Sequence, residues 1–192
     1  MMTFLLQRLL CTAILLFGVL TALPAHAEEP PLSPEVLAFL QQQQQPLPFA
    51  VTFEQQRTIT GLPRPLLSSG KLTIAADKVV WHTQEPLDQQ LVITAEGIQN
   101  DDQTKLRGSE VVGQLLLAVL QGNAQTIAAN FAVQLQDTCL VLTPKLSQLQ
   151  QFVQRIESCG GEQIERIRLI EQQGNQSDIT FQPEASESVA TH

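Results

Sequence analysis

Tyrosine is missing from this chain and tryptophan occurs once, so aromatic residues supply only 5% of a composition that is 43% hydrophobic. The apolar inventory is mostly aliphatic, with eight Phe. Histidine is scarce too: there are three, and no HExxH run, no paired His/Cys spacing and no Asp-rich calcium loop, which argues against a metal site. No GxSxG elbow is present, and the glycines punctuate turns without building a phosphate loop. Basic residues number 11 against 19 acidic ones, a formal charge of −8. Phosphate contacts need a basic surface, so nucleic acid is a poor partner for this chain. No CxxC redox motif occurs among the three cysteines.

Long apolar runs are also lacking. Residues 1–8 carry one charge, Arg8; residues 9–20 are apolar; Pro24 breaks the run, and Ala25-His26-Ala27 follows. A basic start, a short apolar stretch and a small-x-small site are the three parts of a Sec signal peptide. The stretch is shorter than the roughly 20 residues of a membrane span, and Cys11 sits too early for a lipoprotein box. Cleavage after Ala27 is expected, with residues 1–27 as signal peptide, 28–183 as one folded domain and 184–192 as a polar, disordered tail. That cleavage removes Arg8 and takes the charge from −8 to −9. In residues 111–120, the longest later apolar run, Gly113 and Gln114 interrupt the pattern, which fits a buried helix. Two cysteines, Cys139 and Cys159, meet an oxidising compartment. They read as a disulfide, which in the chain-entropy model contributes about 3 kcal/mol, or as two buried thiols.

Ser33-Pro34-Glu35 is a helix start, with Ser as cap, Pro at the first position and an acid in the first turn. Val36, Leu37 and Leu40 give that helix an apolar face. From residue 47 the period changes to two: Phe49, Val51 and Phe53 alternate with polar neighbours. Further strands are expected at 70–74, 79–83, 91–94 and 98–100, with Ser68 and Ser69 in the loop before Gly70. Ser109 is expected to cap the dense apolar helix 111–120, stopped by Gly122-Asn123. A short helix at 124–130 precedes strands at 131–135, 138–143, 152–157, 164–171 and 178–181, with turns at Gly160-Gly161 and Gly174-Asn175. Sequential antiparallel strands with helices to one side form an α+β fold that is mostly β.

Chemistry is thin. A Cys139 nucleophile with a His82 base can be imagined, but nothing in the sequence brings them together. Few catalytic candidates and many apolar residues point to binding. A cavity of Leu, Ile, Val and Phe suits acyl chains, each buried CH₂ contributing about 0.8 kcal/mol. The same residues would equally serve as plain core.

Specific residues add to this. Phe49-Ala-Val-Thr-Phe53-Glu-Gln55 resembles the F-x-Q entry strand of periplasmic outer-membrane lipoprotein carriers, the LolA-like family. Residues 70–74 and then Val80-Trp81-His82-Thr83-Gln84-Glu85-Pro86 resemble the next two strands of that family. Residues 91–98 resemble the strand before its lid, and Leu140-Val-Leu142-Thr143-Pro144-Lys145 its late Thr-Pro-Lys strand. The resemblance implies a curved antiparallel sheet forming an incomplete barrel, with a helical lid over an apolar hollow. It implies a non-enzymatic, monomeric periplasmic carrier that uses no cofactor. Such a carrier takes acylated cargo from an inner-membrane release complex or exporter and passes it to an outer-membrane acceptor. The implied cargo wall comprises Phe49, Val51, Phe53, Leu72, Ile74, Trp81, Leu91 and Ile93, with Leu115, Leu116, Val119 and Leu120 from the lid. Where the family carries a lid-tying Arg-Pro, this chain has Ala76-Asp77, so the lock is missing or remade by Arg57 or Arg64. The turn Gly61-Leu62-Pro63-Arg64-Pro65-Leu66 is similar to a divergent branch associated with export of lipid-like molecules such as aryl-polyene pigment esters, which makes lipid cargo an alternative to lipoprotein. A different reading is an envelope protein-interaction module with a filled core, pairing through an exposed sheet edge. A hydrolase of envelope lipids is the third reading and lacks a motif.

Overall fold

The computed structural model describes residues 32–102, 104–106 and 109–183; the expected signal peptide and tail lie outside them. The chain begins with helix α1 (Pro34–Gln42), where the Ser33 hydroxyl accepts the Val36 N–H at 3.3 Å and Val36 and Leu40 are buried. Five strands follow: β1 (Phe49–Thr58), β2 (Leu66–Ile74), β3 (Lys78–Glu85), β4 (Gln89–Thr94) and β5 (Gly97–Gln99). Helices α2 (Glu110–Leu120) and α3 (Ala124–Asn130) lead to β6 (Phe131–Gln136) and β7 (Cys139–Pro144). The single turn α4 (Ser147–Gln150) precedes β8 (Val153–Cys159), β9 (Arg166–Glu171) and β10 (Gln176–Pro183).

All ten strands form one sheet in the order β5-β4-β3-β2-β1-β10-β9-β8-β7-β6, every neighbour antiparallel. The chain thus builds two hairpin meanders and joins them through β1 and β10. The sheet stays open at β5 and β6, an incomplete barrel. Side chains alternate across a strand, and Val51, Phe53, Leu72, Ile74, Ile179 and Phe181 turn the same way, into the core. Phe53 packs against Trp81 in a tilted arrangement with ring centroids 4.9 Å apart.

Two local expectations are corrected. Ser68 and Ser69 lie in β2 and not in a loop, paired with Gln55 and Glu54 of β1. The register of β2 against β3 shifts between Ser69 and Gly70, and a Cβ at Gly70 would fall 2.0 Å from the His82 carbonyl oxygen. Glycine there permits the close approach that a bulge needs, so a Ser-Ser-Gly run that looks like a turn is a kinked strand. Ser109 precedes α2 without a capping bond; its Oγ accepts the Ile98 N–H at 2.9 Å and donates to Leu106 O at 2.6 Å. The hydroxyl ties the helix to β5 instead.

Cys139 and Cys159 are joined, their Cα atoms 4.0 Å apart as cross-strand partners of β7 and β8. The bond removes the Cys139 thiol from the imagined pair with His82, whose Nε2 lies 2.7 Å from Asp88 Oδ1.

Candidate binding hollow

Helix α2 packs on β4, β5 and α3 across the inner side of the sheet. Its start is pinned by backbone proximity: a Cβ at Gly113 would lie 2.8 Å from Thr94 O and 3.0 Å from Gly97 Cα. Gln114 Nε2 donates to Ala95 O at 3.1 Å, and Lys105 pairs with Glu110 at 3.1 Å. The helix-start N–H of Glu110, together with Lys105, holds the Glu110 carboxyl below its ordinary range. The far end of α2 is held by Gln121, whose Nε2 donates to Ala75 O at 2.6 Å and Ala76 O at 3.1 Å in the β2–β3 turn. Neither Arg57 nor Arg64 takes this part. Arg57 bonds Glu171 at the opposite end of the strands, and Arg64 is an exposed residue of the β1–β2 turn at that same end.

Between α2 and the sheet lie two cavities. The smaller, about 280 Å³, sits at the α1 end and is lined by Leu40, Phe49, Val51, Leu72, Ile74, Leu140 and Leu142, with Gln43, Gln44, Gln45, Gln121 and Gln163 among its polar lining. The larger, about 980 Å³, opens at the other end, where β1 turns into β2 and β3 into β4. Its wall is aliphatic on both meanders: Leu91, Ile93 and Ile98 from one, Ile156, Ile167, Leu169 and Ile179 from the other, with Val112, Leu115 and Leu116 of α2. Val119, Leu120 and Phe181 line both cavities and so form the partition between them.

Four large apolar side chains stand exposed at the larger mouth: Leu66 (52%), Leu67 (66%), Leu87 (76%) and Phe152 (61%), all lining the cavity. Isolated exposed leucines are ordinary, whereas a cluster around one opening is not.

The twelve residues expected at the cargo wall divide accordingly. Trp81, Leu91, Ile93, Leu115 and Leu116 line the larger cavity; Phe49, Val51, Leu72 and Ile74 line the smaller; Val119 and Leu120 line both. Phe53 lines neither and is packed behind Trp81 at 2% exposure. The expectation missed the lip and the whole β8–β10 wall. Period-two alternation in Ile167, Leu169 and in Ile179, Phe181 was a usable signal for that wall; Leu66 and Leu67 were hidden by the misread loop, and Leu87 and Phe152 sit outside any strand.

Two charged residues, Arg57 and Glu171, also belong to the lining of the larger cavity. Among the described residues no group of three or more His, Cys, Asp or Glu is placed to hold a metal ion.

A family model described as outer membrane lipoprotein carrier protein LolA matches residues 47–190. Among solved structures, the chain is similar to a LolA superfamily protein from Nitrosomonas europaea at 11% identity, covering 82% of this chain and 96% of that one with a TM-score of 0.46. It is similar also to a DUF1329 family protein from Desulfovibrio piger at 13% identity, covering 77% and 88%, with a TM-score of 0.29. No curated protein matches the chain.

Proposed function

The chain belongs to the outer membrane lipoprotein carrier family, and from that premise we propose that it is a non-enzymatic periplasmic carrier. It shelters the acyl chains of a lipoprotein or lipid-like cargo in the larger hollow. It receives the cargo from an inner-membrane release complex or exporter and delivers it to an outer-membrane acceptor. Residues 1–27 are the export signal, cleaved after Ala27, and the mature chain works as a monomer.

The observation that carries this reading is the 980 Å³ hollow with its exposed apolar lip. Its volume stands at the upper end of the roughly 300–1,000 Å³ of small-molecule sites, and a filled core would leave no such space, since interiors pack to crystal density. About ten methylenes placed inside would contribute about 8 kcal/mol before the cost of ordering the chain. Leu66, Leu67, Leu87 and Phe152 give an acyl chain apolar contact before it is fully inside. Two pins on α2 let it act as a lid: the Gly113 end is fixed by backbone contact, while the Gln121 end hangs on one side chain and two carbonyls.

Native mass spectrometry of the mature protein, purified gently from periplasm, tests the reading. A bound lipid, acylated pigment or lipoprotein is the expected result. A mass that remains that of the bare chain after incubation with acyl probes overturns it. Co-purification of one envelope protein with no lipid would turn the assignment to an interaction module pairing through the β6 edge.

A further inference from the structure

The larger hollow has a polar strip on its wall, in which two side chains keep N–H groups to spare. Arg57 Nη2 donates to Glu171 Oε1 at 2.8 Å, and Asn175 Nδ2 donates to Glu171 Oε2 at 3.0 Å. Both carboxylate oxygens are thus engaged, and Glu171 is only 19% exposed while Arg57 is 43% exposed. Arg57 Nε is covered and has no partner among the described residues, so the exposed donors are the terminal N–H groups that Glu171 does not take. Two residues earlier on β1 and on the same face, Gln55 accepts from Ser68 Oγ at 3.3 Å through its carbonyl oxygen, which leaves its amide N–H₂ to donate. Both side chains line the hollow, Arg57 level with Leu66 and Gln55 further in, opposite Ser68.

We propose that Arg57 and Gln55 form a carbonyl-binding station at the mouth, which selects cargo whose acyl chain ends in a neutral ester or amide over one ending in a free carboxylate. The groups that Arg57 and Gln55 keep to spare are N–H donors, so the ligand group they take is an acceptor. The guanidinium charge is already matched by Glu171, so an anionic head would gain little from Arg57 and would meet a carboxylate beside it. The acyl tail then runs from the station toward Ile93 and Leu115, and the head remains at the opening. The inference rests on the carrier reading and specifies its ligand chemistry.

The experiment is displacement of a fluorescent naphthyl probe from the mature protein at pH 8 by three ligands of one chain length: tetradecane, methyl myristate and myristate. The ester is expected to compete about tenfold better than the alkane, equivalent to about 1.4 kcal/mol, and better than the carboxylate. Arg57→Met should abolish the advantage of ester over alkane. Glu171→Gln leaves the guanidinium charge unmatched, and the preference should then swing to myristate, a reversal that mere loss of packing does not produce. Equal competition by ester and alkane in the unaltered protein overturns the station while leaving the carrier reading intact. So does an unchanged ester preference in Glu171→Gln. Failure of the probe and all three ligands to bind overturns both.

Discussion

The two cavities are walled by the same sheet and share Val119, Leu120 and Phe181, yet they differ in kind. The smaller is backed by α1 and ringed by glutamines, and its apolar wall includes Leu72 and Leu142, which have almost no exposure. Among the described residues no helix lies across the mouth of the larger, and its rim is leucine and phenylalanine turned outward. One alternating pattern therefore yields a small cavity with a mostly buried apolar wall at one end of the strands and a wide hollow with an exposed rim at the other. An apolar residue facing inward is not by itself a binding residue; its neighbours across the hollow decide.

A pair of substitutions puts the greatest strain on that contrast. Leu72→Ala, at the closed end, should cost about 2–5 kcal/mol of stability as a buried leucine truncation, read by chemical denaturation. Leu116→Glu, on the α2 wall of the open end, should abolish acyl-probe binding in a protein that remains folded. Full probe binding by that variant would remove Leu116 from the wall and weaken the division between the two compartments.

The tie at the end of α2 offers a smaller effect. Gln121→Leu deletes two hydrogen bonds to the β2–β3 turn and should cost about 1–2 kcal/mol, with faster amide exchange in the last turn of α2 and faster release of bound probe. Unaltered exchange there would mean that Gln121 does not hold the lid.

The smallest effect belongs to the outer side of the sheet. Asp178 points away from the hollow, between the cavity-lining Ser177 and Ile179, and accepts from Arg168 Nε at 2.6 Å. Burial opposes its charge, but the Gln176 amide and the Arg168 guanidinium outweigh that and hold its carboxyl below the usual 3.8. A depressed folded value means the stabilisation is present at neutral pH and is lost as pH falls through that value, below 3.8. Asp178→Asn should flatten the acid limb of the melting curve by under about 1 kcal/mol and leave ligand binding untouched. A steeper acid limb in the variant would reverse this assignment.

Much of the fold was legible locally. Ser33 and Pro34 mark α1, the alternation from Phe49 marks β1, and the apolar density of 111–120 marks α2, because each signal lives within a few residues. The start of β2 was not legible, since Ser68 and Ser69 are strand only through pairing with β1 and a bulge at Gly70. Seven of the twelve expected cargo-wall residues face the larger hollow, and the wall the expectation left out lies on β8–β10, beyond the helices in sequence. The lid tie eluded the sequence as well. The family resemblance points to an arginine on the sheet, whereas the donor is a glutamine at the end of the helix and the acceptors are backbone carbonyls, which leave no residue signature.

By itself the sequence determined which side of each strand is apolar, where the covering helix lies and that the surface is acidic, because periodicity, caps and charge are written in neighbouring residues. Only the tertiary structure decided which inward positions close into core and which border empty space, and that Arg57 meets Glu171 across 114 residues. The physical reason is that a hollow is the volume enclosed by all the elements less the volume their side chains fill. That difference belongs to the assembled sheet and its lid, and no local stretch of chain contains it.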